Sequence, residues 1–126
     1  MPITIDGSGA ISGTRMAVAN GVIGNVTTLT YGATLTLDMS AGNNYAVTLT
    51  GNATLANPTN LVAGQSGVIK ITQDATGSRT LAYGSYWDFA GGTAPALTTT
   101  ANAVDILVYY VDSTTNITAR LIGDRK

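Results

Sequence analysis

Two stretches of the chain alternate apolar and polar or small residues with a period of two, and this pattern constrains the fold more than any other feature. The first stretch runs through residues 34–39 and the second through residues 45–50. The apolar positions are Leu35, Leu37 and Met39 in the first and Tyr45, Val47 and Leu49 in the second. A period of two is typical of a strand with one face in a core and the other in water. We therefore expect an antiparallel pair of strands joined by a turn at residues 41–44.

Two further pairs of strands are predicted downstream. GVIKITQ (67–73) is expected to pair with RTLAY (79–83) across a turn in which Asp74 caps the backbone and Gly77 is left-handed. VDILVYYV (104–111) is apolar at both alternating sets of positions, which predicts a central strand. Its expected partner is NITARLI (116–122), which follows a short polar turn. The loop at residues 74–79 holds one carboxylate, so a hairpin turn explains it better than a calcium site.

These strands predict an all-β fold, an antiparallel β-sandwich or jelly-roll-like domain, over residues 26–126. The composition agrees, because Thr, Ala and Gly are the commonest residues and Glu is absent, which disfavours helices. A chain of 126 residues can bury a core without disulfides. No strict internal repeat is evident.

Residues 1–25 are predicted to be a glycine-rich arm. Ile3, Ile5 and Ile11 are its strand-forming apolar residues, and Gly-rich turns separate them. The arm has too few large apolar groups for its own core, so we expect it to lie on another surface. It also lacks the basic region and apolar run of a secretory signal, and no membrane insertion is expected because the most apolar stretch is far too short to span a bilayer.

Composition argues against an enzyme. The chain has no His, no Cys and no Glu, which removes the usual nucleophile systems and the usual ligands of zinc, haem and iron–sulfur groups. We therefore predict no catalytic residues, no metal and no cofactor. Asp105 and Asp112 lie too far apart along one strand to act as a glycosidase pair, and Asp105 is expected to face Arg120. A net charge of −1 with 10% charged residues predicts no nucleic-acid binding.

An aromatic cluster is the one candidate contact site outside the arm. It comprises Tyr83, Tyr86, Trp87 and Phe89, with Asp88 among them. Such a cluster could stack on a sugar while the carboxylate accepts hydroxyl hydrogen bonds. We interpret it instead as part of the core or of a subunit interface, because the chain has few other large side chains.

The opening ITIDGSGAISG resembles the N-terminal segment of bacteriophage tail-fibre and minor virion proteins. The run GQSGVIKITQDATGSRTLAYGSYWDFAGGTAPALTTTANAVDILVYYV, Gly64 to Val111, is similar to a domain of the same class of phage structural proteins. The resemblance implies a virion component that forms trimers or rings and joins the particle through its N-terminal arm.

We therefore expect a non-enzymatic phage virion protein, made in the host cytoplasm, that serves as a tail-fibre or tail-tip subunit in attachment. A homotrimer is expected, because low charge and a high apolar fraction suit obligate interfaces. The expected partners are other virion proteins, through the arm, and a host surface glycan. The alternatives are a capsid decoration or head-fibre protein, a free carbohydrate-binding module and a polysaccharide depolymerase.

Overall fold

The computed structural model describes residues 23–126, and its regular structure is almost entirely β-strand. The strands are β1 (Val26–Thr28), β2 (Thr34–Leu35), β3 (Asn44–Leu49), β4 (Ala53–Leu55), β5 (Ser66–Gln73), β6 (Leu81–Tyr83), β7 (Trp87–Asp88), β8 (Val104–Ser113) and β9 (Asn116–Ile122). Two short 3-10 helices span Met39–Ala41 and Ala90–Gly92. The all-β prediction is confirmed. The predicted arm residues Ile3, Ile5 and Ile11 lie outside the described residues.

The first six strands alternate between two sheets. One sheet has six strands in the order β1-β3-β5-β8-β9-β7, and the other has three in the order β2-β4-β6. Position 26 lies opposite 44, and 44 lies opposite 68, so successive turns of the chain take 18 and 24 residues. Three strand pairs thus stack as turns of a parallel β-solenoid, in which each turn packs on its neighbours.

The predicted antiparallel arrangement is wrong for most of the domain. Within residues 23–126, five of the seven strand pairings are parallel. The stretches 34–39 and 45–50 do not form a hairpin, nor do 67–73 and 79–83. After β3 and after β5 the chain bends into the opposite sheet, so each strand pairs with a strand of the next turn. The first bend includes Gly51, where a Cβ atom would collide with the Tyr31 hydroxyl.

The C-terminal hairpin is confirmed. β8 pairs antiparallel with β9 and also with β5, so β8 lies inside the six-stranded sheet as predicted. Its side chains nevertheless alternate between buried and more exposed positions, so it is not apolar on two buried faces. The outward side chains of β8 contact no second layer within the described part of the chain.

The core lies between the inner faces of the two sheets. In the six-stranded sheet the inward positions are the odd-numbered ones, and they join the inward residues of the three-stranded sheet in one cluster. The alternating apolar residues of stretches 34–39 and 45–50 are all buried, as predicted. Helices long and apolar enough to cross a membrane are absent from residues 23–126.

Asp105 is buried on the inner side of β8, and the expected contact with Arg120 is wrong. Arg120 lies opposite Val108 and points outward, because odd and even positions face opposite sides. The Asp105 carboxylate instead accepts hydrogen bonds from the backbone N–H groups of Thr98 and Asp124, each at 2.7 Å. These bonds connect the segment before β8 and the C-terminal residues to the sheet.

Candidate functional site

The aromatic cluster spans the connection from β6 to β7. A turn brings the N–H of Trp87 to the carbonyl of Gly84 at 3.2 Å. The Asn57 side chain, from the loop after β4, accepts the N–H of Tyr86 at 2.9 Å. β7 then pairs with β9, with Trp87 opposite Ile117. The cluster therefore lies where the solenoid meets the C-terminal hairpin.

Trp87 belongs to the core. Its side chain is buried, and its Nε1–H donates to the carbonyl oxygen of Ala56 at 3.1 Å. Its ring meets that of Tyr109 edge to face, with centroids 6.4 Å apart. The interpretation of Trp87 as a buried residue is confirmed, and its indole offers no open face for a sugar.

The other cluster residues point to different places. Asp88 is exposed and accepts a hydrogen bond from the Asn116 amide at 2.9 Å. Tyr83 and Phe89 are half-buried and form an edge-to-face pair with centroids 4.6 Å apart. Trp87, Asp88 and the Tyr83–Phe89 pair therefore do not form one stacking platform. Contact of the exposed members with a receptor or a subunit stays a prediction.

The hydroxyl of Tyr83 is buried without a hydrogen-bond partner in the described residues. Burial raises the pKa of Tyr83 to about 12, and the nearby charge of Asp105 adds to the effect. An unpaired buried hydroxyl is unfavourable, because it loses water without a replacement partner. The ring is thus held by packing rather than by polar contacts.

A cavity of about 260 Å³ lies beside Tyr83 and the last strand of the three-stranded sheet. One wall is residues 79–83 and the other is residues 94–99. A second cavity of about 140 Å³ includes Phe89 in its lining and shares Pro95 with the first. The walls are mostly Ala, Leu and Pro side chains, with Arg79 and Tyr83 as the larger polar groups. The sequence analysis missed residues 94–99, because they have no periodic pattern.

The turn at residues 74–79 holds this segment in place. The Asp74 carboxylate accepts the N–H groups of Thr76 and Gly77 and forms a 2.8 Å ion pair with Arg79. The Arg79 guanidinium, as a hydrogen-bond donor, holds the pKa of Asp74 below its usual value. Gly77 is left-handed at φ +72°, as predicted.

The N–H of Ser78 then donates to the carbonyl of Thr99 at 2.7 Å, which ties the turn to the far wall of the cavity. The turn directs the chain from one sheet to the other, because the strands on its two sides do not pair with each other. Groups of three or more metal-ligating side chains are absent from residues 23–126.

The comparisons with known proteins add a family assignment. Residues 25–116 match the family described as "Putative phage tail fibre C-terminal domain". No curated protein and no solved structure matches the chain. The family match covers the solenoid, the aromatic cluster, both walls of the larger cavity and all of β8. Since it spans well over half of the 126 residues, the chain belongs to this family of phage tail-fibre domains and is a structural component of a virion.

Proposed function

We propose that the protein is a non-enzymatic tail-fibre subunit that contributes to attachment of the phage to its host. The observation that carries this proposal is the family match over residues 25–116. The composition supports it, because a chain without His, Cys and Glu lacks the groups that most hydrolases use. The tail-fibre family also favours a position on the tail over one on the capsid.

The part of the domain that we propose to contact the host is the larger cavity beside Tyr83. Its apolar walls suit the hydrophobic face of a sugar ring, and Arg79 supplies hydrogen-bond donors at the same place. Concave sites with apolar walls and few polar groups are typical of small-ligand binding. A host surface glycan is the ligand class that fits both this chemistry and a fibre.

We also propose that the fibre subunit assembles as a homotrimer and joins the particle through residues 1–25, with Ile3, Ile5 and Ile11 as contacts. The support for the trimer is the combination of 44% hydrophobic residues with 10% charge, which is typical of obligate interfaces. The support for the arm is its composition, which provides turns and few core-forming groups. Phage lacking residues 1–25 of this protein should assemble without it, and electron microscopy of the particles checks this.

Adsorption of phage to host cells tests the attachment role. Ala94→Tyr places a ring in the larger cavity without removing a core residue, and should lower the adsorption rate at least tenfold. Ala75→Tyr, in an exposed turn outside the cavity lining, is the matched control and should adsorb like the wild type.

A glycan array with the purified chain checks the ligand class directly. Unchanged adsorption of an Ala94→Tyr particle that carries normal amounts of the protein would contradict the cavity assignment. Release of reducing ends from a polysaccharide would contradict the non-enzymatic role.

A further inference from the structure

The outward side of the six-stranded sheet, here called the outer face, is a continuous surface built by strand register. Even-numbered residues of β1, β3, β5, β8 and β9 point outward, and parallel or antiparallel pairing aligns them in rows. One row comprises Val26, Asn44, Val68, Val108 and Arg120, and the adjacent row comprises Thr28, Ala46, Lys70, Ile106 and Ile122. Five strands thus present one surface.

The outer face is unusually apolar for a sheet surface that meets water. Val108, Tyr110 and Ile122 are 39%, 50% and 52% exposed. A one-sided sheet normally has polar residues on its solvent side, as the three-stranded sheet does at the outward positions Thr34 and Thr54. Neighbouring exposed apolar residues of this kind mark an interaction surface.

Charges on the outer face are separated along the strand direction. Lys70 and Arg120 lie in the two apolar rows, and neither has an ion-pair partner within residues 23–126. Asp88 lies opposite Thr118 in the following row, and Asp112 lies beyond that row near the end of β8. Asp112 is six residues from Ile106, which lies opposite Lys70, and this corresponds to roughly 20 Å.

Neutral groups orient both carboxylates of the acidic end. Asn116 donates to Asp88, and the Thr118 hydroxyl donates to Asp112. Neither carboxylate meets a cation within the described residues. The outer face therefore has an apolar middle, a basic end and an acidic end, and each end lacks its complement within one chain.

We propose that the outer face binds the outer face of a second copy of this chain, with the basic end of one copy against the acidic end of the next. This inference rests on the proposed function, which makes the protein a homo-oligomer, and it names the surface and the contacts. A head-to-tail contact of this kind forms a closed ring when the rotation between copies permits, and three copies give the trimer. Burial of the apolar middle supplies most of the driving force, and the end charges select the orientation.

Charge reversal followed by charge exchange tests the orientation. Sedimentation of the full chain at micromolar concentration should show the oligomer. Lys70→Asp with Arg120→Asp should weaken association at least tenfold, and Asp88→Lys with Asp112→Lys should do the same. The chain that carries all four substitutions has exchanged ends, and should associate within about threefold of the wild type. Circular dichroism and a thermal melt verify that each variant is folded.

An apolar variant tests the middle of the outer face. Val108→Thr with Ile122→Thr should weaken association at least tenfold, whereas Val62→Thr, an exposed valine outside the sheet, should leave it unchanged. Normal association of folded charge-reversed and apolar variants would overturn the assignment of the outer face, while the attachment role would stand. A wild-type chain that stays monomeric would contradict both this inference and the proposed homo-oligomer. Phage that assemble normally but lose no adsorption in the cavity variant would contradict only the attachment site.

Discussion

The inner and outer faces of the six-stranded sheet belong to the same strands but have different constraints. On the inner face, Leu107, Val111 and Ile117 have no solvent exposure and pack in the common core. On the outer face, their neighbours Val108 and Tyr110 are apolar but have no second layer to pack against in one chain. The folding of a single chain therefore explains the inner residues and leaves the apolar character of the outer ones unexplained. A neighbouring molecule is the physical reason that we infer for them.

The largest effect on the inner face is expected at Trp87. Trp87→Ala removes a buried indole, its hydrogen bond to Ala56 and its contact with Tyr109, and should lower the free energy of unfolding by about 3–5 kcal/mol. Chemical denaturation measures the loss. Trp87→Phe should recover part of it, because a ring still fills much of the site. A Trp87→Ala protein with wild-type stability would contradict the core assignment.

Adjacent residues of β8 provide the most direct comparison of the two faces. Leu107→Ala should lower the free energy of unfolding by about 2–5 kcal/mol, because it leaves a cavity in the core. Val108→Ala should change it by less than about 0.5 kcal/mol at concentrations where the chain is monomeric. Equal losses in the two variants would show that the outer face is covered within a single chain.

The polar residue of the inner face is expected to have an intermediate effect. Asp105→Asn replaces one carboxylate oxygen with an amide NH₂, so the N–H of Thr98 or Asp124 loses its acceptor. The free energy of unfolding should fall by about 1–3 kcal/mol. Asp124→Asn, which alters an exposed carboxylate paired with Lys126, is the control and should change it by less than about 0.5 kcal/mol. Stability of Asp105→Asn equal to that of the control would refute the anchoring role.

Tyr83 should give a smaller effect of the opposite sign. Tyr83→Phe removes a buried hydroxyl that has no partner in the described residues, so stability should rise by about 1 kcal/mol. Tyr45→Phe is the matched control, because the Tyr45 hydroxyl lies 2.8 Å from the carbonyls of Asp38 and Gly42, and its loss should destabilise the protein. A destabilised Tyr83→Phe protein would mean that the hydroxyl does have a partner.

The same hydroxyl predicts a dependence on alkaline pH. The pKa of Tyr83 is about 12 in the folded chain, against about 10 in an unfolded one. Between these values the unfolded chain binds fewer protons, so stability should fall as the pH rises above 10. Burial also raises the pKa of Tyr45 and Tyr109, in the same direction. Unfolding titrations from pH 9 to 12 should show a shallower fall for Tyr83→Phe than for the wild type.

Local features of this fold were predictable from the residues. The alternating runs indicated correctly which side chains enter the core, because a strand turns successive residues to opposite faces. The β8–β9 hairpin was predictable too, because its strands are close in sequence and a short polar turn joins them. The left-handed Gly77 followed from turn chemistry.

The candidate site was predictable only in part. The composition of the aromatic cluster marked the segment 83–89, but not the separation of Trp87 from Asp88 and from the Tyr83–Phe89 pair. That separation depends on the pairing of β7 with β9 and on the position of Asn57. The cavity needs residues 94–99, which are placed by contacts with Ser78 and Asp105 rather than by any pattern of their own.

Strand partners in the solenoid were decided by the tertiary structure. A period of two identifies the buried face of β3 but carries no information on which strand lies beside it, since parallel and antiparallel partners present the same alternation. The actual neighbours of β3 start 18 residues earlier and 24 residues later in the paired register. From the residues alone came the strands, their buried faces and the family resemblance. The parallel stacking, and with it the rows of the outer face, arises only when distant turns of the chain pack together around a shared core.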